Sequence, residues 1–136
     1  MTQKKVNEIA YQIIGAVIEV HKSLGPGLLE SVYHRCLEHE LKLRELSFVS
    51  EKIVPVQYKD LEFESILKCD LFVENCVVIE LKSVKEFSPI YDAQILTYMK
   101  LLKAPKGLLI NFNCFNIFEE GQKAFINNYF RELNEK

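Results

Sequence analysis

Asp70, Glu80 and Lys82 are the residues whose types and spacing could do chemistry together. They fall in two β-rich runs, Phe63 to Val73 and Val77 to Val84. Glu74-Asn75-Cys76 separates the runs, so the pattern reads as a hairpin with a short loop. Residues two apart in a strand share a face, so Glu80 and Lys82 point one way and Ile79 and Leu81 the other. A loop centred on Asn75 sets residue 70 opposite residue 80, with Cβ atoms about 5 Å apart. Two carboxylates held side by side among apolar neighbours repel each other and lose hydration. A hard divalent cation with oxygen ligands would resolve that conflict. Lys82, on the same face, could then touch a phosphate oxygen or orient an attacking water, stabilising charge that builds in the transition state. A cross-strand salt bridge accounts for the same residues structurally. Glu and Lys are each about 6% of residues, so a bare Glu-x-Lys arises by chance about once in every two chains of this length. Spacing alone does not decide between the two.

Two further pairs could converge on such a site. Glu30 and Tyr33 are three apart, and Gln94 and Tyr98 four apart, each pair on one helix face. Glu30 would bring another acidic ligand over the sheet, although a carboxylate in the first turn of a helix is also favoured by the helix dipole. Tyr33 fits the core as well as it fits a site. Gln94 and Tyr98 offer an amide and a phenol to a bound phosphate, or else a surface glutamine beside a half-buried tyrosine. His34 and His39 cannot share a helix face, and His21 has no partner at ligand spacing. Gly25-Pro26-Gly27 is too short for a phosphate cradle and reads as a turn.

The elements that must position these residues follow from periodicity. Ile9, Ile13, Ala16, Val17 and Val20 mark a first helix from about Lys4 to Lys22. A second runs from about Leu28 to Arg44, its inward stripe Leu29, Val32, Tyr33, Cys36, Leu37 and Leu41, with Glu40 at the edge. Phe48 to Tyr58 reads as a strand with Pro55 marking an edge or bulge, followed by a turn at Lys59-Asp60. After the hairpin, Ser88 as N-cap and Pro89 at the first helical position open a helix that stops before Pro105. Gly107 to Asn113 is a wholly apolar strand, and Glu119 to Leu133 a last amphipathic helix. The order is helix, helix, three strands, helix, strand, helix. It predicts an α/β fold with a mixed β-sheet, a three-strand meander plus a crossover strand, flanked by helices.

The chain has 136 residues, 49% hydrophobic and 26% charged, which fits one soluble domain over residues 1–136. No apolar run reaches the ~18 residues of a membrane span. The N-terminal stretch contains Glu8, Gln12 and Glu19 and does not read as an export signal, so a cytoplasmic location is expected. Cys36, Cys69, Cys76 and Cys114 form no C-x-x-C pair and are expected as reduced thiols. The net charge of −2 argues against a sequence-independent nucleic-acid coat protein. It argues less against a metal-dependent enzyme, because the ion supplies positive charge where a phosphate sits.

Five blocks of the chain carry a resemblance. Leu24-Gly25-Pro26-Gly27-Leu28-Leu29-Glu30-Ser31-Val32-Tyr33 resembles the signature of the GxxExxY protein family. Asp70-Leu71-Phe72-Val73, Glu80-Leu81-Lys82, Ala93-Gln94-Ile95-Leu96-Thr97-Tyr98 and Gly107-Leu108-Leu109-Ile110-Asn111-Phe112 match the same family in the same order. The resemblance runs from about residue 6 to 126. That family is similar to the PD-(D/E)XK nuclease superfamily, whose core is helix, three strands, helix, strand. The resemblance implies that Asp70, Glu80 and Lys82 take the Asp, Glu and Lys places of the motif. It implies that Gln94 with Tyr98 looks like the Q-x-x-x-Y element of RecB-like exonucleases, and that Glu30 stands where the first core helix often offers another acid. The function expected is cleavage of DNA phosphodiesters with Mg²⁺ or Mn²⁺, with a homodimer or protein partner supplying recognition. The alternative is a non-catalytic adaptor that keeps the nuclease fold. Small size and net negative charge favour the adaptor, and the intact Asp70, Glu80 and Lys82 disfavour it.

Overall fold

The computed structural model describes all of residues 1–136. Thr2 opens the first helix, α1 (Gln3–Leu24), by accepting a hydrogen bond from the Lys5 amide, and Gly25 at φ +74° closes it. An L-residue with a side chain would be strained there. After the Gly25–Leu29 turn come α2 (Glu30–Leu43) and β1 (Phe48–Ile53). Two three-residue strands, β2 (Val56–Tyr58) and β3 (Leu61–Phe63), follow, then β4 (Lys68–Val73) and β5 (Val77–Lys82). The chain continues through α3 (Pro89–Leu102), β6 (Lys106–Asn111), α4 (Ile117–Glu120), β7 (Gln122–Ile126) and α5 (Asn128–Arg131).

Five strands form one mixed sheet in the order β1-β4-β5-β6-β7. β5 and β6 run parallel, joined by α3 as the crossover, and the other neighbours are antiparallel. β5 and β6 are apolar on both faces because helices cover both. On one face Leu71, Ile79, Leu81, Leu108 and Ile110 pack under α1 and α2. On the other Phe72, Val78 and Leu109 pack under Ile95, Tyr98 and Met99 of α3. The expected α/β sheet, meander and crossover are therefore present. Ser88 caps α3 and Pro89 begins it, as the sequence predicts. No helix is long and apolar enough to cross a membrane.

Three expectations are corrected. The run Phe48–Tyr58 breaks at Pro55 into β1 and β2, and β2 pairs with β3 in a separate two-stranded arm rather than in the main sheet. The last segment is not a helix throughout: Gln122–Ile126 forms β7, because the free edge of β6 offers unpaired backbone groups to any adjacent strand. The α2 stripe narrows to Tyr33, Leu37 and Leu41, while Leu29 is 74% exposed and Val32 is also exposed. All four cysteines are free. Cys69 belongs to the core under α3 and Cys76 to the core on the opposite face, so the hairpin cannot bring them together.

Candidate active site

The β4–β5 ladder pairs Val73 with Val77, Phe72 with Val78 and Leu71 with Ile79. At the next rung, Asp70 and Glu80, side chains replace the main-chain ladder. The Asp70 amide donates to Glu80 Oε2 at 2.8 Å, and the Leu81 amide donates to Asp70 Oδ2 at 2.7 Å. Each carboxylate thus holds the backbone of the opposite strand. The far side of Asp70 is distorted too. Glu51, at φ +50°, sits between the paired residues Ser50–Leu71 and Lys52–Cys69 of β1 and β4. A non-glycine residue there stores about 1–2 kcal/mol of strain, so the sheet opens around Asp70 from both sides.

Only 5% of Glu80 is exposed. Burial, then the adjacent Asp70 anion, push its carboxyl up to about 8, against the opposing pull of the Asp70 amide and the Lys82 charge. Cys69, next to Asp70, has its thiol pushed up to about 12 by burial and by the Glu80 and Asp70 charges, which removes it as a nucleophile.

Lys82 takes no part in an ion pair. The ion pairs of the protein are His34–Glu38, Glu40–Arg44 and Asp92–Lys123. Lys82 Nζ instead lies 4.4 Å from the centre of the Tyr91 ring, on its face. The cross-strand salt bridge is therefore not what this fold builds, and the acidic pair is left without a cationic side chain.

Glu30, exposed at the first position of α2, faces the same region but stands outside a ligand group with Asp70 and Glu80. Its carboxyl is raised, by burial first and by Asp70, with Lys82 opposing, so it lies within the field of both. A backbone clasp puts it there. Tyr33 Oη donates to the Gly25 carbonyl at 2.6 Å and accepts from the Leu28 amide at 3.1 Å. Ser83 Oγ donates to the Leu28 carbonyl at 2.6 Å. The Leu28 residue is thereby pinned to α2 on one side and to the segment after β5 on the other. The Tyr33 ring, fully buried, stacks on Phe112 at 4.2 Å between centroids. Tyr33 holds the loop that carries Glu30 and is itself core.

From α3, Tyr98 is 5% exposed, and its hydroxyl is raised by burial and by the charges of Glu80, Cys69 and Asp70. The Gln94 side chain opposes that shift by hydrogen bonding. Gln94, exposed, and Tyr98, buried, thus share the face of α3 turned toward the acidic pair.

Two positioning residues escape sequence reasoning. Tyr91 lies at i, i+3, i+7 with Gln94 and Tyr98, a spacing that could have found it as the third residue of that face. Asn111, 4% exposed, pairs across the parallel ladder with Lys82. Its Oδ1 accepts from the Val84 and Asn113 amides and its Nδ2 donates to the Val84 carbonyl, fixing the backbone beyond Lys82. The signal was a lone polar side chain closing an apolar strand.

The sequence model of the PD-(D/E)XK nuclease superfamily matches residues 7–124, nearly the whole chain. This chain belongs to that superfamily. No curated protein and no solved structure matches it. The structure sets Asp70 and Glu80 on paired neighbouring strands with Lys82 two residues on, the arrangement in which the resemblance implied the motif of that superfamily. Nucleases of this superfamily generally use divalent metals. No three acidic, histidine or cysteine side chains close into one ligand group. That donor set does not suit a tetrahedral zinc. It suits Mg²⁺, which takes one or two carboxylates and completes its shell with water and phosphate oxygens.

Proposed function

We propose that this PD-(D/E)XK domain is a Mg²⁺- or Mn²⁺-dependent nuclease that hydrolyses phosphodiester bonds of DNA. The observation that carries the reading is the pair Asp70 and Glu80 on neighbouring strands, Glu80 buried and Asp70 half-buried, each accepting from the opposite strand's backbone and neither in an ion pair. In this reading Asp70 and Glu80 hold the ion, with Glu30 acting from α2 through the ion's water shell. The ion, when bound, activates a water and polarises the phosphate.

Lys82 stands free of carboxylate partners, with Tyr91 fixing its direction. It carries its charge to a non-bridging phosphate oxygen, where negative charge grows as the bond to water forms. Gln94 and Tyr98 orient the phosphate from the helix side. Tyr33, Ser83 and Asn111 act through the backbone, holding the turns that aim Glu30 and Lys82. The run Leu24 to Tyr33 places the chain with the GxxExxY family in this reading, with Gly25 and Tyr33 forming the clasp that precedes Glu30. The domain works in the cytoplasm, with a second copy or a protein partner completing substrate recognition.

The test is cleavage of labelled single- and double-stranded DNA and RNA by the purified protein with Mg²⁺, Mn²⁺ or EDTA. Metal-dependent DNA cleavage that is lost in Asp70→Asn, Glu80→Gln and Lys82→Ala supports the reading. Cleavage that survives all three substitutions, or binding of metal without cleavage of any substrate, counts against it.

A further inference from the structure

A groove adjoins the acidic pair without containing it. It encloses about 980 Å³ between the β2–β3 arm, the end of β1 and the C-terminal turn of α3. Four lysines line it, Lys52, Lys59, Lys100 and Lys103, against two glutamates, Glu62 and Glu64. None of the four is in an ion pair. In a chain of net charge −2 the groove thus concentrates free ammonium groups. Phe63 and Tyr129, both partly exposed, add aromatic faces to the wall. Tyr58 stands on the same hairpin face as Val56, which pairs with Phe63, and is 63% exposed.

The arm itself is an anomaly. β2 and β3 pack chiefly on each other, and a two-stranded hairpin alone is marginally stable in water. Yet Ile53, Tyr58, Leu61, Phe63 and Ile66 are all exposed along or beside it. Free cations interleaved with exposed rings match a polyanion that also presents flat π-faces. Bases in a duplex keep those faces stacked on one another, whereas an unpaired strand offers them to side chains.

The groove shares its strand and its helix with the candidate site. Lys52 pairs across the β1–β4 ladder with Cys69, the residue next to Asp70. Tyr98, which faces the carboxylates, lies one turn of α3 before Leu101 and Leu102 of the groove wall. A strand leaving the carboxylates would enter the groove directly.

Resting on the nuclease reading above, we infer that this groove is a binding channel for single-stranded DNA flanking the cleaved phosphate. The four lysines neutralise backbone phosphates, and Phe63, Tyr129 and Tyr58 stack on bases without selecting among them. The arm is the outer wall of the channel, and its apolar residues are exposed because DNA covers them.

The test is fluorescence anisotropy of labelled oligo(dT), oligo(U) and a duplex, in EDTA so that nothing is cut, at several salt concentrations. The wild type should bind oligo(dT) in preference to the duplex. With four phosphates neutralised, log affinity should fall against log salt with a slope of about −2.8, and Lys100→Gln with Lys103→Gln should flatten it to about −1.4. Phe63→Ala should weaken oligo(dT) binding about tenfold with the slope unchanged, as loss of stacking requires. Cleavage of the same oligonucleotides in Mg²⁺, measured in parallel, separates this inference from the nuclease reading. Tight binding without cleavage would leave the channel standing and remove the nuclease. Groove variants that bind and cut as the wild type does would remove the channel and leave the nuclease. Preference for duplex or for oligo(U) would overturn the assignment. So would groove variants that alter only the oligomeric state in size-exclusion chromatography, because the arm would then be a face for a second copy of the chain.

Discussion

Glu80→Gln separates a buried acid that waits for a cation from one that supports the fold. In the folded protein the carboxyl titrates near 8, while an unfolded chain leaves it near the reference 4.5. The folded state therefore binds more protons than the unfolded state between those values, and stability falls as pH rises through that window. Below 4.5 both states are protonated and Glu80 carries no penalty. Above 8 both are ionised and the penalty is complete. At about 1.4 kcal/mol per pKa unit the ceiling is roughly 5 kcal/mol. The titration is shared with Asp70, and relaxation of a buried site trims such figures, so on the order of 2 kcal/mol is expected. Glutamine keeps an acceptor for the Asp70 amide and removes the charge. Glu80→Gln should therefore melt level with the wild type at pH 5 and roughly 6 °C above it at pH 8.5 in EDTA, at about 3 °C per kcal/mol. Melts of both proteins across pH 5 to 9 make the comparison, and titrations elsewhere cancel in the difference. With Mn²⁺ at a hundred times its dissociation constant the wild type should regain about 2.7 kcal/mol, and the variant should not respond. A variant that melts below the wild type at pH 8.5 would refute the reasoning, because the ionised Glu80 would then be a net support of the fold.

Lys82→Ala should keep the Mn²⁺-induced rise in melting temperature and lose cleavage by a factor of about 100 or more, measured in single-turnover assays, since the lysine acts on transition-state charge. Tyr33→Phe should fold but melt roughly 3–6 °C lower, because the Gly25 carbonyl and Leu28 amide lose their hydroxyl partner; hydrogen exchange at residues 25–30 should rise. Asn111→Ala should destabilise by about 1–3 kcal/mol in urea melts, leaving the Val84 and Asn113 amides without their acceptor at a part-buried turn.

The hairpin and its consequence were legible because they are local. Glu74 and Asn75 both adopt left-handed φ and set a tight loop, and the register they impose brings residue 70 level with residue 80. The crossover helix and strand were legible for a similar reason: Ser88-Pro89 opens α3, and β6 is apolar from Gly107 to Ile110. β7 was not, since Gln122–Ile126 is a strand only by virtue of an edge supplied by β6. The β2–β3 arm was hidden because Pro55 tells of a break and not of what the strand does after it. The partner of Lys82 was hidden because a lysine side chain can reach either a carboxylate or a ring. The placement of Tyr91 on α3, a property of the assembled sheet and helix, makes that choice.

One consequence of the fork bears on every substitution at the acidic pair. Asp70 Oδ2 accepts from Leu81 and Glu80 Oε2 accepts from Asp70, so the groups proposed to hold an ion also close the β4–β5 ladder at its last rung. Alanine at either position would remove a charge penalty and strand a backbone donor together, and the two effects oppose each other. Its net stability change could be near zero with either assignment of the pair. Asparagine and glutamine keep an acceptor oxygen and remove only the charge, so only the amide isosteres read the electrostatic term by itself. The same logic orders the two positions. Glu80 is the more buried of the two carboxylates, so its neutralisation should raise the melting temperature more than Asp70→Asn does at pH 8.5, and the reverse order would place the greater desolvation at Asp70.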